Sequence, residues 1–464
     1  ADDGLSGLVG VEWREDSLSR LSDDISRTVG GLTGTGGATL PIDGEIQVEE
    51  FFFEASIPLV QDAPFAEEVG LSGGFRYSDY TTKGNDTENS FDAETWFVGL
   101  SWTPVSDVRL RANVSRAIRA PNVFDLYVGI NTGLVDLTTG ENGLFDPCAS
   151  APGVAPAASA EACARTGLSP EAYAAGIEDN PAGQYNVITG GNPDLIAETG
   201  DTTTFGVVLT PRWVDGLSIA IDYFDIEVTD AIGTIPPQAS LDGCIAGGPG
   251  SDTFCSLIQR DNAGTLWLTG VAPDGGLAGI SEQNANIASL VTNGIDLNVT
   301  YSLDLSGFGS VSFDYAATFL DELSETPFDG AEAIECVDFY AGQCGLPNPE
   351  YRHRFLATWL TPWNATVAMT WRHVGETTLF GLDTAAAAER PEQMNDYLEA
   401  QDYLDIAVNY DVNENLTLRV GANNILANDP PLSTNVGTGT GNNNTYPGLY
   451  DVSRFLFANA TVRF

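Results

Sequence analysis

The chain is 464 residues long and carries 65 Asp and Glu against 19 Lys and Arg, a formal charge of −46, with Lys83 its single lysine. So negative a surface repels the phosphate backbone, which excludes nucleic-acid binding. No apolar run approaches the ~18 residues of a membrane-crossing helix.

Mean hydropathy is near zero, and aromatics and glycines are abundant, as in strands with one apolar and one polar face joined by many turns. The chain opens at Ala1 without methionine or leader and already reads as a strand over Leu8–Glu15, so the expectation is a piece lacking its N-terminal part. Period-two alternation predicts fourteen strands, at about 5–15, 44–60, 67–82, 90–104, 107–119, 200–213, 216–231, 287–304, 308–323, 350–362, 365–380, 400–412, 415–427 and 451–464. Val108, Leu110, Ala112 and Val114 oppose Arg109, Arg111, Asn113 and Ser115. Leu404, Ile406, Val408 and Tyr410 oppose Asp405, Ala407, Asn409 and Asp411.

The connections alternate in length. Short ones follow Trp102, Leu303, Leu360 and Tyr410; long ones span about 16–43, 120–199, 232–286, 324–349, 381–399 and 428–450. A soluble domain rarely carries so many long loops without structure of their own. An outer-membrane barrel does, with tight periplasmic turns and long extracellular loops. The pattern therefore defines an all-β chain, a transmembrane antiparallel β-barrel. A soluble sandwich or propeller would show shorter strands, more even loops and a blade-sized repeat.

Three segments carry a more specific signal. Arg111 to Tyr127 contains Arg119-Ala120-Pro121 at the end of a strand. Gly191-Asn192-Pro193-Asp194-Leu195 is followed by Glu198-Thr199, with Ala197 at a position where proline is usual. Leu416 to Pro431 contains Val420-Gly421-Ala422-Asn423-Asn424-Ile425-Leu426-Ala427-Asn428-Asp429-Pro430-Pro431, and the chain stops on Phe464. In this order, across about 107–464, the set resembles the TonB-dependent outer-membrane receptors. Most of these residues read as architecture, since a proline supplies no ladder donor and ends a strand.

The resemblance implies a 22-stranded barrel around an N-terminal plug. About 14 of 22 strands would be present here, with eight strands, the plug and its TonB-contacting segment missing, leaving an open wall. It further implies a Gram-negative outer membrane with lipopolysaccharide around the wall, the TonB complex as partner through the plug, and the barrel assembly machinery reading Phe464 as an assembly signal.

The six cysteines fall two to a long loop: Cys148 and Cys163, Cys244 and Cys255, Cys336 and Cys344. That spacing in an oxidising compartment predicts three local disulfides rather than metal sites, since no histidine lies near any pair. His353 and His373, on adjacent strands, would lie near the extracellular end, beside Arg352, Arg354 and Arg372 at plain polar or lipopolysaccharide-facing positions. No serine motif or ordered carboxylates accompany them, so no catalytic site, metal or cofactor is expected. Arg109, Arg111, Arg419 and Arg463 share the inward parity near periplasmic turns. They form either a basic belt facing carboxylates of the plug or ordinary ion pairs with barrel aspartates such as Asp405 and Asp411.

The loops are acidic: 321–350 holds eight carboxylates and no basic residue. Such a mouth argues for a neutral or cationic ligand, although the acidity also reads as a habit of organisms from salty water. Tyr127, Trp267, Phe328, Phe339, Tyr340 and Tyr446 are loop aromatics suited to stacking on sugar rings or to packing within the loops. The reading is a receptor that imports a scarce small-molecule or oligosaccharide nutrient (glycan, iron–siderophore or cobalamin-like) by energised plug movement. A passive porin, or a barrel enzyme or adhesin, is the alternative.

Overall fold

The computed structural model describes residues 4–28, 38–248, 250–328, 330–382, 396–433 and 444–464; parts of five expected long loops (29–37, 249, 329, 383–395 and 434–443) lie outside the described residues. All fourteen expected strands form: β1 (Ser6–Arg20), β2 (Ile42–Ala63), β3 (Ala66–Gly84), β4 (Thr87–Val105), β5 (Val108–Arg119), β6 (Glu198–Leu209), β7 (Leu217–Gly233), β8 (Ala285–Asp304), β9 (Ser310–Thr326), β10 (Tyr351–Leu360), β11 (Ala365–Val374), β12 (Gln401–Asn413), β13 (Leu416–Asn423) and β14 (Phe455–Val462). Each pairs antiparallel with its sequence neighbours in one sheet running from β1 to β14.

Strand ends differ from the expectation where backbone geometry intervenes. The expected strand 365–380 stops at Val374. There the Gly375 amide donates to the carbonyl of Tyr351, and Thr377–Leu379 joins a separate loop sheet. The expected strand 415–427 stops at Asn423, because Asn424 takes a positive φ of 48° that cannot continue a strand.

Cross-strand register sorts the side chains onto two faces. Phe53, Phe75 and Trp96 share one row, and Val69 and Trp102 share a lower one. Val98, Leu100, Phe205, Ile221 and Val420 are exposed on this same apolar face. The Trp102-to-Trp96 span covers roughly 20 Å along the strand, most of the ~25 Å apolar band of an outer-membrane wall. Above it the row Glu49, Asp79, Asp92 is charged, marking the upper edge of the band. The opposite face is polar and lines the interior, in the manner of such barrels.

Strand length divides the wall. β2, β3, β4 and β8 run for 22, 19, 19 and 20 residues, whereas β10 and β11 have 10 each and β13 and β14 have 8 each. About 9–11 residues suffice to cross the apolar core. The long strands therefore stand well above the band, while β10 and β11 end near its rim.

Two folded loop clusters cap the sheet. The first, from residues 131–189 and 234–284, contains a four-stranded sheet and four short helices. Its two buried cores include Leu137, Tyr185, Leu241 and Leu266 in one and Ala149, Ala162, Leu168 and Ile177 in the other. The second packs Tyr340, Leu398, Tyr446 and Tyr450 against Val374 and Tyr403 of the low wall.

Candidate ligand site on the inner wall

The three sequence motifs act as joinery: the first two meet at the root of the first loop cluster, and the third lies at the exit from β13, against β12. Arg119 donates through two nitrogens to Glu198, tying the top of β5 to the top of β6, and Glu198 also accepts from the Ile232 amide at 2.7 Å. Asn122 caps the helix Val123–Tyr127, accepting from the amides of Phe124 and Asp125, while Asp125 accepts from the Asn122 amide. Gly191 lies against that helix. A Cβ there would meet the Leu126 carbonyl carbon at 2.6 Å, so no larger residue fits without displacing backbone. In the last motif, Asn424 and Asn428 exchange hydrogen bonds and Asn428 donates to the Asp402 carbonyl, pinning the exit from β13.

The cysteines pair as expected: Cys148–Cys163, Cys244–Cys255 and Cys336–Cys344. A feature invisible in the sequence joins the first two loops. Arg260 donates to both oxygens of Asp146, 114 residues away, with both side chains 2% exposed, and also to Thr166 and the Gly264 carbonyl. Nearby, Asp261 accepts from the amides of Ala263, Thr265 and Thr269 and from the hydroxyls of Thr265 and Thr269. Burial pushes its carboxyl up, but these hydrogen bonds prevail and hold it below the usual aspartate range.

Of the loop aromatics, Tyr127, Tyr340 and Tyr446 are buried. Tyr127 packs with Ile42, Leu126 and Leu195, and Tyr340 lies edge-on to Tyr446. Trp267 and Phe339 are half-buried; the Trp267 indole donates to the Glu178 carbonyl and Phe339 stands edge-on to Phe380. Phe328 is edge-on to Phe254. The structure thus gives each of them a packing partner within the loops.

The periplasmic-end arginines occupy the inner face. Arg111 is held bidentately by Asp222 at 2.8 and 2.6 Å, reaching across β6 above Gly206, where a Cβ would collide with both side chains. Arg109 donates to Ser101, and Arg419 lies over the Phe457 ring. Arg463 donates its amide to Asn415, and Phe464 is fully exposed at the chain end.

The histidines and the neighbouring arginines separate. His353 and His373 stack with ring centroids 5.3 Å apart on the apolar face, with Trp371 edge-on to His353 and Tyr351 close to both. Asp402 bonds His373 Nδ1 at 3.0 Å and accepts from the Trp371 indole at 2.7 Å. Arg352, Arg354 and Arg372 point to the opposite, inner face. They are therefore not lipopolysaccharide-facing, because alternate residues of a strand take opposite sides.

There the arginines line a cavity of about 430 Å³ with Asp296, Asn298, Thr318 and the loop residues Gly448 and Leu449. Arg354 sits directly opposite Arg372 in the ladder. Arg372 is satisfied by Asp451 at 2.6 Å and Asp405 at 3.3 Å and lies over the Tyr403 ring. Arg352 and Arg354 are exposed and, among the described residues, have no ion-pair partner. Asp296, two strands away in the same row as Arg352, instead accepts from Thr318.

A curved antiparallel wall with short turns at one end, folded loops at the other and an apolar outer band defines an outer-membrane-type β-barrel. The chain matches the family model for "TonB dependent receptor-like, beta-barrel" over residues 2–425 and belongs to that family. Members of that family are outer-membrane proteins of Gram-negative bacteria.

Among solved structures, a mutant ferric enterobactin receptor of Pseudomonas aeruginosa in complex with enterobactin is 16% identical, with a TM-score of 0.59, covering 99% of this chain and 51% of that one. The FrpB iron transporter of Neisseria meningitidis is 12% identical at TM-score 0.55, covering 100% and 53%. The copper transporter OprC is 13% identical at 0.54, covering 100% and 55%. The chain thus spans about half the length of these structures. At such identity the likeness is one of fold. A search of the curated proteins finds no match.

Proposed function

We propose that this chain forms the C-terminal portion of the barrel of an outer-membrane receptor that imports a scarce nutrient by TonB-driven movement of a plug. The observation that carries the reading is the built asymmetry of the wall, with bare turns on one side and two structured loop clusters on the other. Family membership and the folds of iron and copper importers support it. A passive porin has less use for a mouth covered by disulfide-bonded cores. On this reading the remaining strands and the plug belong to the rest of the protein, the plug carries the TonB contact, and lipopolysaccharide surrounds the apolar face.

Arg109, Arg111, Arg419 and Arg463 would then face the plug at the periplasmic mouth. Charge reversal of Arg419 and Arg463 in the complete receptor should loosen the plug and raise its protease sensitivity; unchanged protection would sink that role.

The ligand class stays open on this reading between an oligosaccharide, an iron–siderophore and a cobalamin-like compound. The decisive experiment is nutrient uptake by cells with and without TonB. Accumulation should vanish without TonB or when the inner-membrane proton gradient is collapsed. Uptake that persists in both cases would identify a passive channel.

A further inference from the structure

Above the apolar band, the outer face of the tall wall carries charges that nothing in the described chain offsets. Its rows climb across β1–β4 from Val9, Phe53, Phe75 and Trp96 to Val11, Phe51, Tyr77 and Glu94. The next row is Trp13, Glu49, Asp79 and Asp92. Glu49, Asp79 and Asp92 therefore stand opposite one another on three consecutive strands, with Glu94 one row below. Like charges directly opposite in an antiparallel ladder are destabilising. All four carboxylates are exposed, and among the described residues none has an ion-pair partner. The nearby basic groups are engaged elsewhere: Arg14 with Glu12 and Asp16, Arg76 with Glu12 and Glu50, Lys83 with Glu88, and Arg116 with Asp201.

A second feature of the same face is aromatic. Trp13, Phe51 and Tyr77 are 58%, 47% and 38% exposed. With Glu49 and Asp79 they line a groove of about 690 Å³. Ring faces attract cations through their quadrupole, and an aromatic surround suits an ammonium group in particular. The groove also has a direction. Below it lie Val9, Phe53 and Phe75, at the height of lipid chains, and above it Gln47 and Thr81 continue a polar face. What fits is amphipathic, apolar at its lower end and cationic at the level of the rings. Lipid is the neighbour of a barrel's outer face at this height.

We infer that this groove docks an outer-leaflet lipid through an ammonium group of its headgroup. The ammonium lies against Trp13, Phe51 and Tyr77 between Glu49 and Asp79, and relieves the repulsion along the acidic row. The acyl chains run down over Phe53 and Phe75. A headgroup charged only by phosphate meets four uncompensated carboxylates there and is repelled. The contact rests on the outer-membrane placement of the barrel and not on what the barrel imports.

The test is native mass spectrometry of the complete receptor, released from detergent micelles doped with chain-matched dioleoyl lipids. One lipid carries a trimethylammonium headgroup, one is phosphatidylglycerol, and diacylglycerol is the neutral reference. The trimethylammonium lipid should be retained at least about tenfold over diacylglycerol, and less so as salt is raised. Glu49→Gln/Asp79→Asn/Asp92→Asn should reduce that preference about tenfold, and Trp13→Leu about threefold. With its repulsion removed, the triple variant should unfold no earlier than wild type, which separates lost binding from lost structure. A charge-matched control at exposed positions of the first loop cluster, Glu141→Gln/Glu161→Gln/Glu171→Gln, should keep the preference.

A preference within twofold of wild type in the Glu49→Gln/Asp79→Asn/Asp92→Asn variant would overturn the inference. Equal loss in the control would also overturn it, because net negative charge alone would then draw the lipid. So would retention of phosphatidylglycerol that requires magnesium and disappears in the wall variant, which would make the carboxylates a cation bridge to phosphate.

Discussion

The tall strands β2–β4 and β7–β9 and the low strands β10 and β11 belong to one sheet but treat their arginines differently. On the tall side Arg76 is held by Glu50 at 2.8 Å, and Asp222 of β7 holds Arg111 of β5 across Gly206, where a Cβ would collide with both. On the low side Arg372 is held, while Arg352 and Arg354 line a cavity without an ion-pair partner among the described residues. A charge paired within the wall serves stability and register. The loop clusters above repeat the contrast: the first is closed by a buried ion pair and two disulfides, whereas the second contributes Gly448 and Leu449 to the cavity's edge.

Breaking the closed side should have the largest effects. Arg260→Ala strands Asp146 in a buried site and should destabilise the first loop cluster by about 3–5 kcal/mol. Hydrogen exchange should then show protection lost over 131–189 and 234–284 with the wall strands unaffected. Replacing Cys148 and Cys163 by serine opens a loop of 15 residues and should lower the cluster's stability by about 3 kcal/mol, measurable by the same exchange. Asn122→Ala removes the cap of the Val123–Tyr127 helix and should cost about 1 kcal/mol, read as faster exchange at Phe124 and Asp125.

Acid should act more gently. Because the Asp261 carboxyl is held below its unfolded value of about 3.9, its contribution is present above that pH and is lost as pH falls through the lower folded value. Exchange in 261–269 should accelerate below about pH 4 and do so less in Asp261→Asn, which has already lost the charge. The smallest stability change should come from Arg354→Gln, where relief of repulsion leaves the unfolding temperature equal or slightly raised.

Much of the wall was legible because a strand with one face in lipid must alternate, and Val108–Ser115 or Leu404–Asp411 admit no other period. The difference in wall height was not. Above the apolar band both faces turn polar, so Lys83–Gly84 and Thr87–Asn89 read as connection although they are paired strand. The loop cores were hidden for a related reason: Tyr185, Leu241 and Leu266 meet through aperiodic contacts, and Arg260 finds Asp146 at a separation no local pattern records. For the loop aromatics, stacking on a ligand and packing within the loops were equally open, because composition does not distinguish a presented ring from a buried one. The inner placement of Arg352, Arg354 and Arg372 was overlooked: they were expected at plain polar or lipopolysaccharide-facing positions, although strand parity already opposes Arg352 and Arg354 to His353. Their strand neighbours, Thr318 beside Arg352 and Arg372 opposite Arg354, appear only when the strands are in register.

The contrast between paired and open arginines is tested most directly by recording the unfolding temperatures of Arg111→Gln and Arg352→Gln/Arg354→Gln receptors side by side. Arg111→Gln leaves Asp222 without its partner and should unfold at a lower temperature than wild type. The double variant relieves repulsion in the ladder and should unfold no earlier than wild type. Equal loss of stability in both would contradict the account.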